Sequence, residues 1–260
     1  AKYLKQKSFK VIASCRKNKD VKKLSKEFDY SIELDTSSSK SINKAHILIK
    51  KIVKNNLIYG IFCNAGYGQF GAVEDLTRDL ICEQFETNIF GHIELINLFI
   101  PFMRKQNEGR IIFNSSVLGL VSFPFSSAYN ATKFAMEAFA RSLRLELKKT
   151  NIKVSLIEPG PIEANFNINA LKNLKRIKIN NSVYKDKYYK IMKYLVSGED
   201  FFTLPALSVA KKVHIALISK KPKTQYFVTL PTYVLSYLRI LPNPIFENFL
   251  SLLDNQRKNK

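Results

Sequence analysis

Short apolar runs of strand length alternate along this chain with longer stretches that place apolar residues at helical intervals. Residues 9–15, 32–35, 57–63, 110–114 and 152–157 read as strands. Residues 20–28, 41–55, 76–106 and 128–149 read as helices, with Pro101 permitting a break in the third and Gly109 ending it. In the fourth, Phe134, Ala138, Leu143, Leu145 and Leu147 supply the apolar positions. Strands that alternate with helices predict a doubly wound parallel α/β sheet of Rossmann type. No repeat or linker divides residues 1–260, so the chain reads as a single domain.

Two segments depart from this rhythm. Residues 161–204 are less regular and rich in Asn, Lys and Tyr. They follow a strand end, where ligands of wound sheets collect, and read as a substrate lid, with a solvated insertion as the plainer alternative. Residues 227–260 form an apolar C-terminal extension broken by Pro231, Arg239, Pro242 and Pro244. They read as helices that pack on the domain or line a pocket, with interfacial membrane contact as the lesser alternative.

Composition narrows the classes. Hydrophobic residues make up 46% and charged residues 24%, enough for a substantial core. The net charge of +21 permits an anionic partner. However, the lysines are scattered and no zinc-finger or zipper pattern accompanies them, so no nucleic acid is expected. No apolar run reaches the roughly 18 residues of a membrane span, and no signal segment opens the chain. Cys15, Cys63 and Cys82 lack CxxC spacing and fit free thiols in a reducing, cytoplasmic setting. His46, His92 and His214 show no metal spacing and read as ordinary helix residues.

The candidate chemistry centres on Tyr129-Asn130-Ala131-Thr132-Lys133. Tyr129 and Lys133 at i and i+4 share a helical face. A phenol titrates near pH ~10, and a nearby ammonium lowers that value. Such a phenol can exchange a proton with an alcohol or carbonyl oxygen. Ser116 lies 13 residues upstream, just past a strand. Asn64-Ala65-Gly66 and Pro159-Gly160 close two other strands, and Asn88 sits within the long helical region.

This ordered set resembles the short-chain dehydrogenase/reductase family across residues 1–240. Within it, Ser116-Val117-Leu118-Gly119 and the segment 154–162 are similar to bacterial NADP-dependent aldehyde reductases and hydroxysteroid-dehydrogenase-like members. The resemblance implies Tyr129 as proton donor in reduction and acceptor in oxidation. Lys133 lowers the Tyr129 pKa and holds the nicotinamide ribose. Ser116 binds the substrate oxygen and is preferred to its rival Ser115 by spacing, and Asn88 positions a relay water. NADP(H) is the implied cofactor, contacted by Arg16, Asp35, Asn64, Ala65, Gly66, Tyr129, Lys133, Pro159, Gly160 and Ile162. Arg16 favours a 2′-phosphate over a 2′-hydroxyl, because a guanidinium forks onto phosphate. The family's usual Thr after Ile162 is replaced by Ala164, which lacks a hydroxyl. A small carbonyl or alcohol is the implied substrate, and a homo-oligomer is compatible. Phe123, Phe125, Phe166, Phe201 and Phe202 suggest an apolar pocket.

The family pattern also predicts a first strand and glycine-rich loop ahead of Ala1, over about 20 residues. Residues 1–7 read as a helix end, and 9–15 match the second strand. Tyr67-Gly68-Gln69-Phe70-Gly71 follows the wrong strand to serve as that loop. Residues 1–260 alone are therefore expected to bind NADPH poorly. The rival readings are an inactive or regulatory member of the fold, which has lost cofactor binding with that loop, and a basic nucleic-acid-binding module.

Overall fold

A computed structural model describes residues 1–54, 57–197 and 202–258, with side chains through residue 253. The elements run α1 (Lys2–Gln6), β1 (Ile12–Cys15), α2 (Asn18–Leu24), β2 (Tyr30–Glu33), α3 (Ser39–Val53) and β3 (Gly60–Cys63). Next come α4 (Arg78–Phe85), α5 (Gly91–Lys105), β4 (Gly109–Asn114), α6 (Ser127–Glu146) and β5 (Ile152–Glu158). The remainder is β6 (Ile162–Glu163), α7 (Phe166–Leu174), α8 (Lys185–Ser197), β7 (Leu204–Pro205), α9 (Ala206–Ile218), β8 (Gln225–Phe227), α10 (Leu230–Leu238) and α11 (Asn243–Lys258).

Every named strand pair is parallel. β1 pairs with β2, and β3, β4, β5 and β8 form a four-stranded sheet in that order. β6 pairs with β7 alone. The β4 run Gly-Arg-Ile-Ile-Phe-Asn is buried almost throughout because helices cover both its faces. Ile111 and Phe113 pack with Ile96 and Met103 of α5 and with Met136 and Ala140 of α6. Ile112, one residue out of phase, packs with Val213, Ala216 and Leu217 of α9. The two-residue period of a strand thus feeds two helical layers. The wound α/β sheet expected from the sequence is what forms.

Three expectations change in detail. Residues 76–106 do not break at Pro101, which lies inside α5. Asn97, whose carbonyl Pro101 cannot bond, is exposed, so solvent can satisfy it. The irregularity falls instead at a π turn, Glu86–Phe90. Residues 161–204 are more ordered than their composition suggests. They contain α7, a 3₁₀ turn (Ile179–Asn181) and α8, whose Ala170, Leu174, Tyr188, Ile191 and Leu195 form a separate apolar cluster with Ala72 and Leu80. Asn55, the last residue of the expected helix 41–55, and the aromatic Phe201 lie outside the described residues. Among the described helices, none is long and apolar enough to cross a membrane. Cys63 is buried, Cys15 half-buried rather than buried, and Cys82 exposed.

Candidate active site

Parallel winding brings the C-terminal ends of β3, β4, β5 and β8 to one edge of the sheet. Beyond Asn114 the chain keeps the direction of β4. Ser115 N–H donates to the Ile157 carbonyl at 2.8 Å and Val117 N–H to the Pro159 carbonyl at 2.8 Å. This pairing holds Ser116 in extended backbone at the end of β5. Ser116 Oγ accepts from Leu118 N–H at 3.1 Å, which starts a 3₁₀ turn (Val117–Gly119), and lies 3.5 Å from the Pro159 carbonyl.

Tyr129 lies in the first turn of α6 and is buried. Its phenol faces the Ser116 hydroxyl, which favours the phenolate. Ser115 Oγ is buried without a partner and lies beside Gly119. Lys133, one turn further along α6, is also buried. Its Nζ donates to the Asn114 carbonyl at 2.6 Å and lies 5.4 Å from the Tyr129 ring centroid. Burial pushes the Tyr129 phenol up to about 12, against the lowering effect of Ser116. Loss of water penalises a phenolate more than the Ser116 hydroxyl relieves it, so the depression expected from Lys133 does not set the direction. Burial likewise pulls Lys133 down to about 8, with the Glu137 charge acting in the opposite sense.

Asn88 sits in the π turn with no exposed surface. Its Oδ1 accepts from Tyr67 N–H at 3.1 Å, and its Nδ2 donates to the Tyr67 carbonyl and to Thr132 Oγ1, each at 3.1 Å. The side chain thus ties the loop after β3 to α6. A Cβ on Gly66 would come 3.1 Å from Asn88 Oδ1, so the loop lies close against the π turn. Asn64 Oδ1 accepts from Asn114 Nδ2 at 2.9 Å. The Ala65 carbonyl is 2.7 Å from His92 Nε2. Burial pushes His92 down to about 4, so the neutral ring donates through Nε2. His92 is therefore more than the ordinary helix residue the sequence suggested. Its signal was its place four residues after Asn88, on the same helical face. Thr132 was likewise missed, although it lies between Tyr129 and Lys133.

The remaining candidates follow the ends of other strands. Arg16, just past β1, is exposed, makes no hydrogen bond or ion pair among the described residues, and acts electrostatically on Tyr67. Asp35 lies two residues beyond β2, and its Oδ1 accepts from Ser37 N–H at 3.0 Å and Ser37 Oγ at 2.7 Å. Gly160 lies so close to Thr229 that a Cβ would overlap its hydroxyl. Ile162 pairs with Leu204 in the small β6–β7 sheet. Of the aromatics, Phe166 stands at Tyr129, with ring centroids 5.2 Å apart. Phe125 packs against Tyr184 and Tyr188.

These residues gather at the C-terminal edge of the wound sheet, where ligands of such folds collect. The family model for short chain dehydrogenase matches residues 1–175. Over 248 residues the chain is 38% identical to the uncharacterized oxidoreductase YbbO of Escherichia coli strain K12, covering 95% of this chain and 87% of that protein. It is 28% identical over 229 residues to 17-beta-hydroxysteroid dehydrogenase type 1 of Homo sapiens, covering 87% and 68%. A crystal structure of a short-chain dehydrogenase from Streptomyces avermitilis superposes with TM-score 0.79 at 21% identity, covering 100% of this chain and 92% of that one. The chain belongs to the short-chain dehydrogenase/reductase family. It is an oxidoreductase of a family that uses a nicotinamide cofactor.

Proposed function

We propose that the protein interconverts an aldehyde or ketone and its alcohol with NADP(H), using Ser116, Tyr129 and Lys133. The observation that carries this reading is the buried contact of Ser116 with Tyr129, with the Lys133 ammonium one helical turn away.

The residues present suit a phosphorylated dinucleotide. Arg16, whose guanidinium has no partner among the described residues, suits the extra phosphate. Among the described residues, Asn114 Oδ1 is buried without a partner, and Lys133, with three protons to donate, bonds the Asn114 carbonyl. These groups fit sugar hydroxyls. The loop 64–66 is exposed and held firm by Asn88, Asn114 and His92. When bound, the nicotinamide supplies or accepts the hydride.

The protein's part is the proton. A phenol raised to about 12 remains protonated at neutral pH and serves as donor in reduction. Ser116 orients the substrate oxygen toward Tyr129. Lys133 stabilises the negative charge that develops on the phenol oxygen as its proton leaves. Asn88 acts as a positioning residue through Tyr67 and Thr132. Phe166, the first residue of α7, covers Tyr129. It supports reading 161–204 as a lid and favours an apolar carbonyl compound as substrate.

Tyr129→Phe tests the reading. Turnover should fall by about 10²–10⁴-fold, the usual share of a general acid. NADPH binding should persist, because the ring packing is kept. Aldehydes, ketones and hydroxysteroids followed by NADPH absorbance provide the assay. Full activity in Tyr129→Phe would remove the phenol from the mechanism.

A further inference from the structure

Beyond the Tyr129–Lys133 pair, the same face of α6 continues inward to Glu137, at i, i+4 and i+8. All three residues are buried. Glu158, the last residue of β5, has no exposed surface and comes against Glu137 from the sheet. Its Oε1 accepts from Gln225 Nε2 of β8 at 2.6 Å. Its Oε2 and both oxygens of Glu137 have no hydrogen-bond donor among the described residues. The nearest cation is Arg141, with Nη2 3.5 Å from Glu137 Oε2 and the guanidinium half out in solvent. The 3₁₀ turn after Ser116 seals this face: a Cβ on Gly119 would come 3.2 Å from Glu137 Cγ.

We propose that Glu137 and Glu158 form a buried carboxyl pair that shares one proton and, through Glu137, keeps Lys133 in its ammonium form. Two facing buried carboxylates, three of whose oxygens lack a donor, are strongly unfavourable, so one must hold a proton and donate it to the other. The Arg141 guanidinium beside Glu137 favours the charge there, and burial, followed by the Glu137 charge, pushes Glu158 up, which makes Glu158 the donor and Glu137 the acceptor. Glu137 then presents a negative charge one helical turn from Lys133, opposing the desolvation that pulls that lysine down.

Among the described residues no other facing group supplies this charge. β4 offers Lys133 only the Asn114 carbonyl, α5 offers the neutral His92, and α6 offers the protonated Tyr129. Around the pair stand Arg141 and Arg144 from α6 and the neutral Gln225 from β8. Glu137 is thus a positioning residue that acts through Lys133. That role rests on the proposed reductase reading, whereas the sharing of a proton does not.

The full chain labelled with ¹³C-lysine tests both parts. The Lys133 signal is assigned by its loss in Lys133→Arg and titrated by NMR. Glu137→Gln should move the Lys133 midpoint down by about one pH unit, the scale of a lost neighbouring charge. Glu158→Gln, which replaces a neutral carboxyl by a neutral amide, should leave it in place. An unmoved midpoint in Glu137→Gln overturns the control of Lys133. A shift in Glu158→Gln as large as that in Glu137→Gln overturns the shared proton. If Glu137→Gln fails to melt cooperatively, Glu137→Asp serves, with a smaller shift in the same direction. The pH profile of carbonyl reduction should move with the Lys133 midpoint. A Lys133 shift in a chain that never reduces carbonyls overturns the reductase reading and upholds the pair.

Discussion

Single residues at the sheet edge carry distinct physical duties. Gly91 opens α5 against the turn after β2, where a Cβ would fall on the Thr36 carbonyl oxygen. That neighbour is backbone and cannot swing aside. Gly91→Ala is therefore expected to destabilise the protein by about 3 kcal/mol, the upper range for overpacking, as read by chemical denaturation. A melt unchanged from wild type would show that the two segments separate easily. Glu158 gives a second residue-level expectation. Its carboxyl is pushed up to about 9 in the folded protein, well above the ordinary carboxylate range. Between those values the folded state holds more protons than the unfolded state, so stability falls as pH rises through the window. Glu158→Gln has no such proton to lose. Its melting temperature should gain on that of wild type from pH 5 to pH 9, and a constant difference would contradict a protonated Glu158.

At the scale of elements, the π turn (Glu86–Phe90) is the hub. It breaks the helical register between α4 and α5 and buries Asn88 between the loop after β3 and α6. Thr36 Oγ1 also donates to the Thr87 carbonyl at 3.1 Å, tying the end of β2 to the same turn. Gln84, from α4, extends the clamp: its Nε2 donates to the Tyr67 carbonyl at 2.6 Å, and its Oε1 accepts from Gln69 N–H at 2.5 Å. Asn88→Ala loses three hydrogen bonds at about 1 kcal/mol each and should cost about 2–3 kcal/mol of stability. Because the loop 64–67 loosens with it, NADPH affinity should fall as well. Loss of stability with unchanged affinity would mean that this loop does not hold the cofactor. The pH response of catalysis belongs to α6. On the proposed mechanism alcohol oxidation requires a deprotonated Tyr129, so the ratio of oxidation to reduction rate should climb steadily from pH 7 to 10. A flat ratio would argue against the phenol as proton acceptor.

For the whole molecule, a net charge of +21 surrounds the proposed cofactor site. Long-range attraction of NADPH should weaken with added salt as the Debye length shrinks from ~10 Å at 0.1 M. Arg16→Asp should remove a larger, local share. It should weaken NADPH far more than NADH, because it sets a carboxylate where the extra phosphate would bind. Dissociation constants for both cofactors at two ionic strengths separate these effects. Equal losses for NADPH and NADH would mean that Arg16 does not read the phosphate.

What the sequence by itself determined is whatever depends on local spacing. Apolar runs such as 110–114 and 152–157 specify buried parallel strands because both their faces must be covered. The spacing of Tyr129 and Lys133 places them on one helical face whatever packs around them. The ordered set Asn64-Ala65-Gly66, Asn88, Ser116, Tyr129 and Lys133 marked the family before any contact was visible. Tertiary structure decided what depends on burial and on partners distant in sequence. The π turn arises because Asn88 is drawn inward to Tyr67 and Thr132, which no helical periodicity announces. The helical order of 161–204 comes from packing Tyr188 and Leu174 against Ala72 and Leu80, in a stretch whose polar composition hides it. The Tyr129 phenol rises although spacing alone pointed down, because desolvation is a property of the folded surroundings. Glu137 was in view, one turn beyond Lys133, but its meaning depends on Glu158, 21 residues along the chain and reached only when β5 pairs with β4 beneath α6.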